Sequence, residues 1–158
     1  MPSVVCNSRE SKITVREARV DEQSQLQELQ LRASLANPGD RQALLSHPDA
    51  IDLPLAQIEE GSVLVAVTDC VVGFVVVLRR SEDTADLDGL FVEPSLWRQG
   101  LGRRLLRDGC NLAVARGARS LHVVANNHAL DFYTAIGFRN EGTVSTLFGK
   151  ATQMSLQL

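Results

Sequence analysis

The chain has 158 residues, of which 44% are hydrophobic and 22% charged, a composition typical of a globular domain with an apolar core. Its formal net charge of −3 disfavours a nucleic-acid partner, because proteins that bind nucleic acids usually carry an excess of basic residues. No apolar run approaches the roughly 18 residues that a membrane span requires, so no membrane partner is expected.

The first predicted elements are a strand and a helix. Residues 13–18 alternate between apolar and polar side chains, which predicts a strand. Asp21 is predicted to cap a helix whose apolar residues recur at helical spacing from Leu26 to Ala36. Residues 37–39 (Asn-Pro-Gly) are predicted to break this helix.

The middle of the chain predicts a hairpin of two apolar strands. A short helix is expected over 41–46, and "HPDAIDLP" is expected to be irregular. The β-branched runs at 62–67 and 71–80 then indicate two strands joined by a turn near Asp69.

The second half alternates strands and helices. We expect a strand over 85–92, a glycine-containing loop, a helix to about Arg116, and a strand over 120–125. A short helix with an apolar face ending near Ile136 and two closing strands, 138–144 and 153–158, complete the prediction. The fold class is therefore α/β (α+β), with a mixed, mostly antiparallel sheet flanked by helices.

The ends and cysteines bear on domain organisation. Residues 1–12 lack the apolar core of a signal peptide, so we expect a flexible tail followed by a single domain over 13–158. Cys6, Cys70 and Cys110 are widely spaced, with no CxxC, which indicates neither a disulfide framework nor a metal site. A reducing, cytoplasmic environment is expected, and no metal is predicted.

The sequence "FVEPSLWRQGLGRRLL" (91–106) joins a strand to a helix through Gly100 and Gly102. Free backbone N–H groups and the positive end of a helix favour an anion there. Arg103 and Arg104 lie in the first helical turns, where a cation is unfavourable unless an anion is bound. The glycine spacing matches neither the dinucleotide-binding fingerprint nor a Walker phosphate loop.

Two motifs make the chain resemble the GCN5-related N-acetyltransferase (GNAT) family. "WRQGLG" is similar to the family's acetyl-CoA motif, Gln/Arg-x-x-Gly-x-Gly/Ala, with Pro94 three residues before it and Trp97 at the Gln/Arg position. Arg98 could supply the charge that Trp97 lacks. "NNHALDFYTAIGF" matches a second family motif, N-x-x-A-x-x-F-Y-x-x-x-G-F. Its matching residues are Asn126, Ala129, Phe132, Tyr133, Gly137 and Phe138.

The resemblance implies a GNAT-like acyl-CoA N-acyltransferase fold and acetyl-CoA as cosubstrate. The pyrophosphate would be held by backbone amides from Arg98 to Arg103, and the pantetheine arm by main-chain groups and the Asn126 amide. The residues expected to contact the cofactor are Leu90, Phe91, Val92, Arg98, Gln99, Gly100, Leu101, Gly102, Arg103, Asn126 and Tyr133.

The resemblance also implies the catalytic groups. Tyr133 would be the general acid, because a phenol with a pKa near 10 can protonate a thiolate with a pKa near 8.5. Asp86 and Asp88 lie on the expected strand, and either could act as the base through a water or attract a cationic amine.

The predicted function is transfer of an acetyl group to a primary amine of a small molecule or peptide by direct attack. The alternative is a non-catalytic acyl-CoA-binding or regulatory module that keeps the anion cradle without the chemistry. A longer acyl group or an oxygen nucleophile is a third alternative, because acyl-chain size depends on a pocket volume that the sequence does not give. The acceptor stays open as well, since the expected acceptor-facing segment, 31–60, carries no recognisable specificity motif. A homodimer is a further possibility.

Overall fold

The computed structural model describes residues 12–158, and over that range the chain forms a mixed sheet of seven strands with helices on both faces. The strands follow the order β1-β2-β3-β4-β5-β7-β6 across the sheet. They are β1 Thr14–Glu17, β2 Val63–Val67, β3 Val71–Arg79, β4 Thr84–Val92, β5 Ser120–Ala125, β6 Arg139–Thr146 and β7 Gly149–Gln157. The helices are α1 Gln23–Leu35, α2 Pro38–Ser46, α3 Leu55–Glu59, α4 Leu101–Ala115 and α5 Leu130–Ile136.

Strands β4 and β5 pair over only part of their length, which leaves a gap in the sheet. The β4–β5 pair is parallel, whereas the other neighbouring strands of the described sheet are antiparallel. Only Thr84–Asp86 and Ser120–His122 pair, and beyond them the two strands separate. Strand β4 also bulges at Asp88, because Val77 lies opposite Leu87 while the preceding Val76 lies opposite Gly89. A bulge bends the strand and leaves its extra residue unpaired.

Two apolar cores hold the helices to the sheet. On one face α4 and α5 contribute to a core that includes Leu105, Leu106 and Leu121. On the other face Leu26 and Leu29 of α1 pack with residues of α3, β2 and β3. Because β3 is covered on both faces, residues 71–77 are all buried, which explains its continuous apolar run.

The structure confirms the predicted fold class and most of the element order. The β5 bounds agree with the prediction, and α4 ends one residue before the predicted Arg116. The closing strands exist but are longer than predicted, because polar residues of the β6–β7 hairpin also pair.

The prediction was wrong at the start of α1. Asp21 does not cap this helix but lies in a 3₁₀ turn, Val20–Glu22, that precedes it. The Glu22 carboxylate instead accepts a hydrogen bond from the Arg19 backbone N–H at 2.8 Å. This bond closes the 3₁₀ turn, and α1 itself begins after Glu22 without a side-chain cap.

The segment between α1 and β2 is more helical than predicted. The break after α1 is short, and α2 starts at Pro38, three residues before the expected position. Proline is well tolerated in a first helical turn, where its missing N–H is not needed. Helix α3, at five residues, is too short to produce a helical repeat in the sequence, and it was not predicted.

Several predictions concern the chain as a whole. The tail expected over 1–12 lies outside the described residues except for Lys12, and the single domain over 13–158 stays a prediction. Cys70 takes part in a disulfide, which the cysteine spacing did not indicate, and Cys110 is a half-buried free thiol. Among the helices of residues 12–158, none combines the length and the apolar character needed to cross a membrane.

Candidate active site

A cavity of about 600 Å³ opens where β4 and β5 separate, bounded by the loop before α4, the start of α5 and the α1–α2 connection. It brings together most of the residues that the sequence predicted for a site. These are Asp88, Leu90, Phe91, Val92, Arg98, Gly100, Gly102, Arg103, Asn126 and Tyr133.

Three predicted residues do not line this cavity. The Leu101 side chain is buried in the core beneath α4, so this residue could contribute only its backbone, and the exposed Gln99 does not line the cavity. Asp86 lies in a neighbouring cavity. Arg104, unlike Arg103, also faces away and lines a separate depression beside Lys12.

The loop before α4 is shaped to present backbone N–H groups. Gly100 is the N-cap of α4 with φ of 84°, and Arg98 has φ of 64°, both in the left-handed region. A glycine N-cap has no side chain to accept from the N–H groups of Leu101, Gly102 and Arg103. These donors and the positive end of a 15-residue helix therefore point at the loop, where an anion would be stabilised.

Gly102 lines the cavity without a side chain. A Cβ at this position would lie 3.6 Å from the Phe132 ring and 3.8 Å from a Val92 methyl, and all three residues line the cavity. The protein itself has room for a methyl group there. The glycine therefore leaves open a space that a bound molecule can fill.

Trp97 links the loop before α4 to the end of β4 by a hydrogen bond. Its indole N–H donates to the Val92 carbonyl at 2.8 Å, while the residue stays 36% exposed beside the cavity. The sequence identified Trp97 only as a departure from the Gln/Arg of the motif. The structure gives this side chain a hydrogen bond that holds the loop in place.

The opening between the strands leaves part of a sheet edge unpaired. Beyond Asp86, the β4 edge that faces β5 has no partner strand, so backbone groups on that side of residues 87–91 are available, whereas the Val92 carbonyl accepts from Trp97. Such an edge can pair with an extended chain that carries amide groups.

Tyr133 lies at the inner end of the cavity on the buried face of α5. It is 7% exposed, and its ring packs edge-on against Phe132 and Phe138, with centroids 5.1 and 5.2 Å away. Burial raises the pKa of the Tyr133 hydroxyl well above its ordinary value. The phenol therefore stays protonated at neutral and alkaline pH and can act as a hydrogen donor.

Asn126 is engaged at both ends of its amide. Its Oδ1 accepts from the Ala129 backbone N–H at 3.0 Å, and its Nδ2 donates to Asp40 Oδ2 at 3.2 Å. The first bond shapes the turn into α5, and the second ties that turn to α2. Sequence reasoning missed Asp40, because nothing local links residues so far apart in the chain.

The two aspartates of β4 occupy different positions. Asp86 Oδ1 lies 3.7 Å from Arg80 Nη1 in an exposed ion pair. Asp88, at the bulge, has a raised pKa because it is partly desolvated and because the Asp86 carboxylate repels its charge. A carboxyl with a raised pKa holds a proton more readily near neutral pH than an ordinary aspartate does.

A second cavity, of about 630 Å³, contains Asp86, Asp88, His122 and Glu141 among its lining residues. It lies on the face opposite α4 and α5, since His122 and Val124 alternate with β5 residues that pack against those helices. Leu87, Asp88, Val123 and Val124 line both cavities. The two cavities therefore meet where β4 and β5 separate. Within residues 12–158, no group of three or more His, Cys, Asp or Glu side chains is arranged to hold a metal ion.

Comparison with known proteins gives a family and a fold. The family model described as "Acetyltransferase (GNAT) family" matches residues 25–138. Among curated protein sequences, none matches the chain significantly.

Solved structures share the architecture at low sequence identity. The PaiA N-acetyltransferase of Thermoplasma acidophilum, crystallised with coenzyme A, aligns with a TM-score of 0.77 and 17% identity, over 93% of this chain and 99% of the relative. YncA of Salmonella typhimurium, a putative acetyltransferase solved with acetyl-CoA, gives 0.70 and 24%, over 94% and 95%. The ribosomal-protein-S18-alanine N-acetyltransferase of Escherichia coli gives 0.67 and 20%, over 92% and 94%.

Proposed function

Because the chain belongs to the GCN5-related N-acetyltransferase family, we propose that it acetylates a primary amine that enters from the second cavity. The enzyme uses acetyl-CoA as its cosubstrate. The observation that supports this arrangement is the meeting of the two cavities at Asp88, with the loop before α4 on the far side of the first cavity. Donor and acceptor could then approach one point from opposite faces of the sheet.

The residues of the first cavity fit coenzyme A. Backbone N–H groups from Arg98 to Arg103 would hold the pyrophosphate, with the helix end and the Arg103 guanidinium adding positive potential. The unpaired edge of β4 would pair with the amides of the pantetheine arm. When bound, acetyl-CoA supplies a thioester carbonyl that an amine can attack.

Asp88 is our candidate for the base, in preference to Asp86. It lines both cavities, its pKa is raised, and within the described residues no ion pair at or below 4.0 Å engages it, whereas Asp86 is paired with Arg80. An alkylammonium with a pKa near 10 must lose a proton before it can attack. The Asp88 carboxylate would accept that proton directly or through a water.

The N–C bond forms as the C–S bond breaks, and the electron pair of the C–S bond leaves on sulfur. Tyr133, which burial keeps protonated, would donate its hydroxyl proton to that sulfur as the thiol forms; the acylated nitrogen would lose its second proton to solvent, and the phenolate would regain a proton from solvent. A backbone N–H within residues 90–92, on the side of β4 that faces away from β3, would stabilise the negative charge that develops on the carbonyl oxygen. Asn126 would position the pantetheine or acetyl end after releasing Asp40, or would act through the turn that it shapes.

The first test separates an enzyme from a non-catalytic binding module. Acetyl-CoA at 100 times its dissociation constant should stabilise the protein by about 2.7 kcal/mol, whereas NAD should have no effect. Release of free thiol is then measured with a panel of amines, amino acids, antibiotics, polyamines and peptides. Tight acetyl-CoA binding without transfer to any acceptor would favour the non-catalytic module.

Three finer features stay predictions. The acceptor is a small molecule or a peptide, and the Escherichia coli relative is by its name an enzyme that acts on an alanine of a ribosomal protein. Cytoplasmic localisation and homodimer formation can be tested by fractionation and by light scattering.

A further inference from the structure

The connection between α1 and α2 crosses the gap that separates β4 from β5. Arg32, in the last turn of α1, donates from Nε and Nη2 to the two carboxylate oxygens of Glu93 at 3.2 and 2.8 Å, and Glu93 directly follows β4. Asp40, in the first turn of α2, accepts from Asn126 at 3.2 Å, and Asn126 directly follows β5. Side chains therefore bind the connection to the end of each strand that borders the gap.

The residues between these two contacts form one wall of the first cavity. Ala33, Ser34 and Asn37 line the cavity together with Asp40. Helix α5 lines it from the opposite face of the sheet, because α5 packs in the core shared with α4 whereas α1 packs in the other core. A molecule in the first cavity is therefore enclosed between the α1–α2 connection and α5.

The two contacts differ in what else holds the parts that they join. The end of α1 is held by the buried residues of that helix, and the Glu93 backbone N–H donates to the Val72 carbonyl of β3 at 2.9 Å. Helix α2 packs mainly on α1 and on the 3₁₀ turn that follows α2, and among the described side chains none of α2 belongs to either apolar core. The position of α2 against the end of β5 therefore depends on the bond between Asp40 and Asn126.

We propose that Asp40 is a positioning residue, which holds α2 as a wall of the cofactor cavity through its bond to Asn126. Asn126 then keeps Asp40 as a partner and acts through the turn that it shapes with the Ala129 N–H. Asn37 is extended between the two helices, with φ of −85° and ψ of 115°, so rotation at this residue would swing α2 away once the bond is broken. The inference rests on the proposed function, which identifies the enclosed molecule as acetyl-CoA.

Two substitutions of Asp40 separate the bond from the charge. Asp40→Ala removes the acceptor of the Asn126 amide. Asp40→Asn removes the charge but keeps an amide oxygen that can accept the same bond. Asp49→Asn, in the exposed 3₁₀ turn that follows α2, is the matched control for loss of one negative charge near this helix.

Dissociation of coenzyme A is measured by stopped-flow fluorescence. Trp97 is the single tryptophan of the chain and lines the first cavity, so its emission reports on the bound cofactor. Asp40→Ala should release coenzyme A roughly two- to tenfold faster than the wild type, the range that corresponds to a hydrogen bond of about 0.5–1.4 kcal/mol. Asp40→Asn should recover most of that loss, and Asp49→Asn should match the wild type.

A wild-type dissociation rate in Asp40→Ala would overturn the proposal. Equal acceleration in Asp40→Ala and Asp40→Asn would overturn it as well, since the charge of Asp40 and not its bond would then be the property that matters. Hydrogen exchange of the ligand-free protein identifies a general loss of stability. In Asp40→Ala, faster exchange should be confined to α2 and the turn before α5, and acceleration that extends to β3 would contradict a positioning role.

The same exchange measurement separates this inference from the proposed function. If coenzyme A does not bind the wild type, the proposed function fails, and exchange in the ligand-free protein alone decides the role of Asp40. Faster exchange of α2 in Asp40→Ala that Asp40→Asn restores would sustain the inference. Equal exchange of α2 in the wild type and Asp40→Ala would defeat it.

Discussion

Replacing Gly102 with alanine should move stability and coenzyme A affinity in opposite directions. Gly102 is the second residue of α4, and a Cβ there would make only ordinary contacts, at 3.6 Å to Phe132 and 3.8 Å to Val92. Alanine is favoured over glycine within a helix by about 0.8–1 kcal/mol, and a first-turn position gains part of this. We expect the melting temperature of the ligand-free protein to rise by up to about 3 °C for a domain of this size.

The same methyl group should weaken binding of coenzyme A. It would project into the first cavity at Gly102, where the absence of a side chain lets a pyrophosphate approach the backbone at the start of α4. Overpacking of a fitted site costs about 1–3 kcal/mol, which corresponds to a loss of about five- to 150-fold in affinity. Differential scanning fluorimetry and isothermal titration calorimetry measure the two effects separately.

Two other glycines show why position 102 is the informative one. Gly100 has φ of 84°, so any side chain there would strain the backbone by about 1–2 kcal/mol and confuse folding with binding. Gly109→Ala is the matched control, because it lies on the same helix but faces the sheet, with its Cβ 3.2 Å from a Val77 methyl. It should leave coenzyme A affinity unchanged. Wild-type affinity in Gly102→Ala would refute the assignment of this loop as the pyrophosphate site.

Three further substitutions test the remaining groups. Tyr133→Phe should retain the ring packing and coenzyme A affinity while lowering kcat by about 10²- to 10⁴-fold where chemistry limits the rate; full activity in stopped-flow assays would remove the phenol from the mechanism. Asp88→Asn should abolish the acid limb of the pH–rate profile, which for a required carboxylate falls as pH drops through its raised pKa. The folded protein binds the Asp88 proton more tightly than the unfolded chain does, so the stability contributed by Asp88 falls as pH rises through its raised pKa. Asp88→Asn should therefore raise the melting temperature at neutral pH. A lower melting temperature would contradict the argument that burial raises the pKa of Asp88. Trp97→Phe removes the hydrogen bond to the Val92 carbonyl and should cost about 1 kcal/mol of stability together with some coenzyme A affinity; retention of both in thermal and calorimetric assays would show that the loop does not depend on this bond.

Local patterns in the sequence were sufficient to predict the helices and strands that carry the residues proposed to bind acetyl-CoA. Residues 120–125 and the long helix after Gly100 were predicted well, because period-2 and period-3.6 patterns arise from burial of one face within a single element. The motif around Tyr133 also placed that residue on the buried face of α5, since spacing within one helix sets which side chains share a face. Helix α3 was not predicted, because its five residues complete too few turns to produce a period-3.6 pattern.

The relation between elements came only from the tertiary structure. Asp86 and Asp88 are equivalent in the sequence, but a bulge set by pairing with β3 places only Asp88 at the junction of the two cavities. The bond from Asn126 to Asp40 joins residues 86 positions apart, and Glu141 reaches the second cavity through a register between β6 and β7. Strand order, register and the point at which β4 leaves β5 depend on long-range pairing, whose stability comes from contacts that no single segment contains.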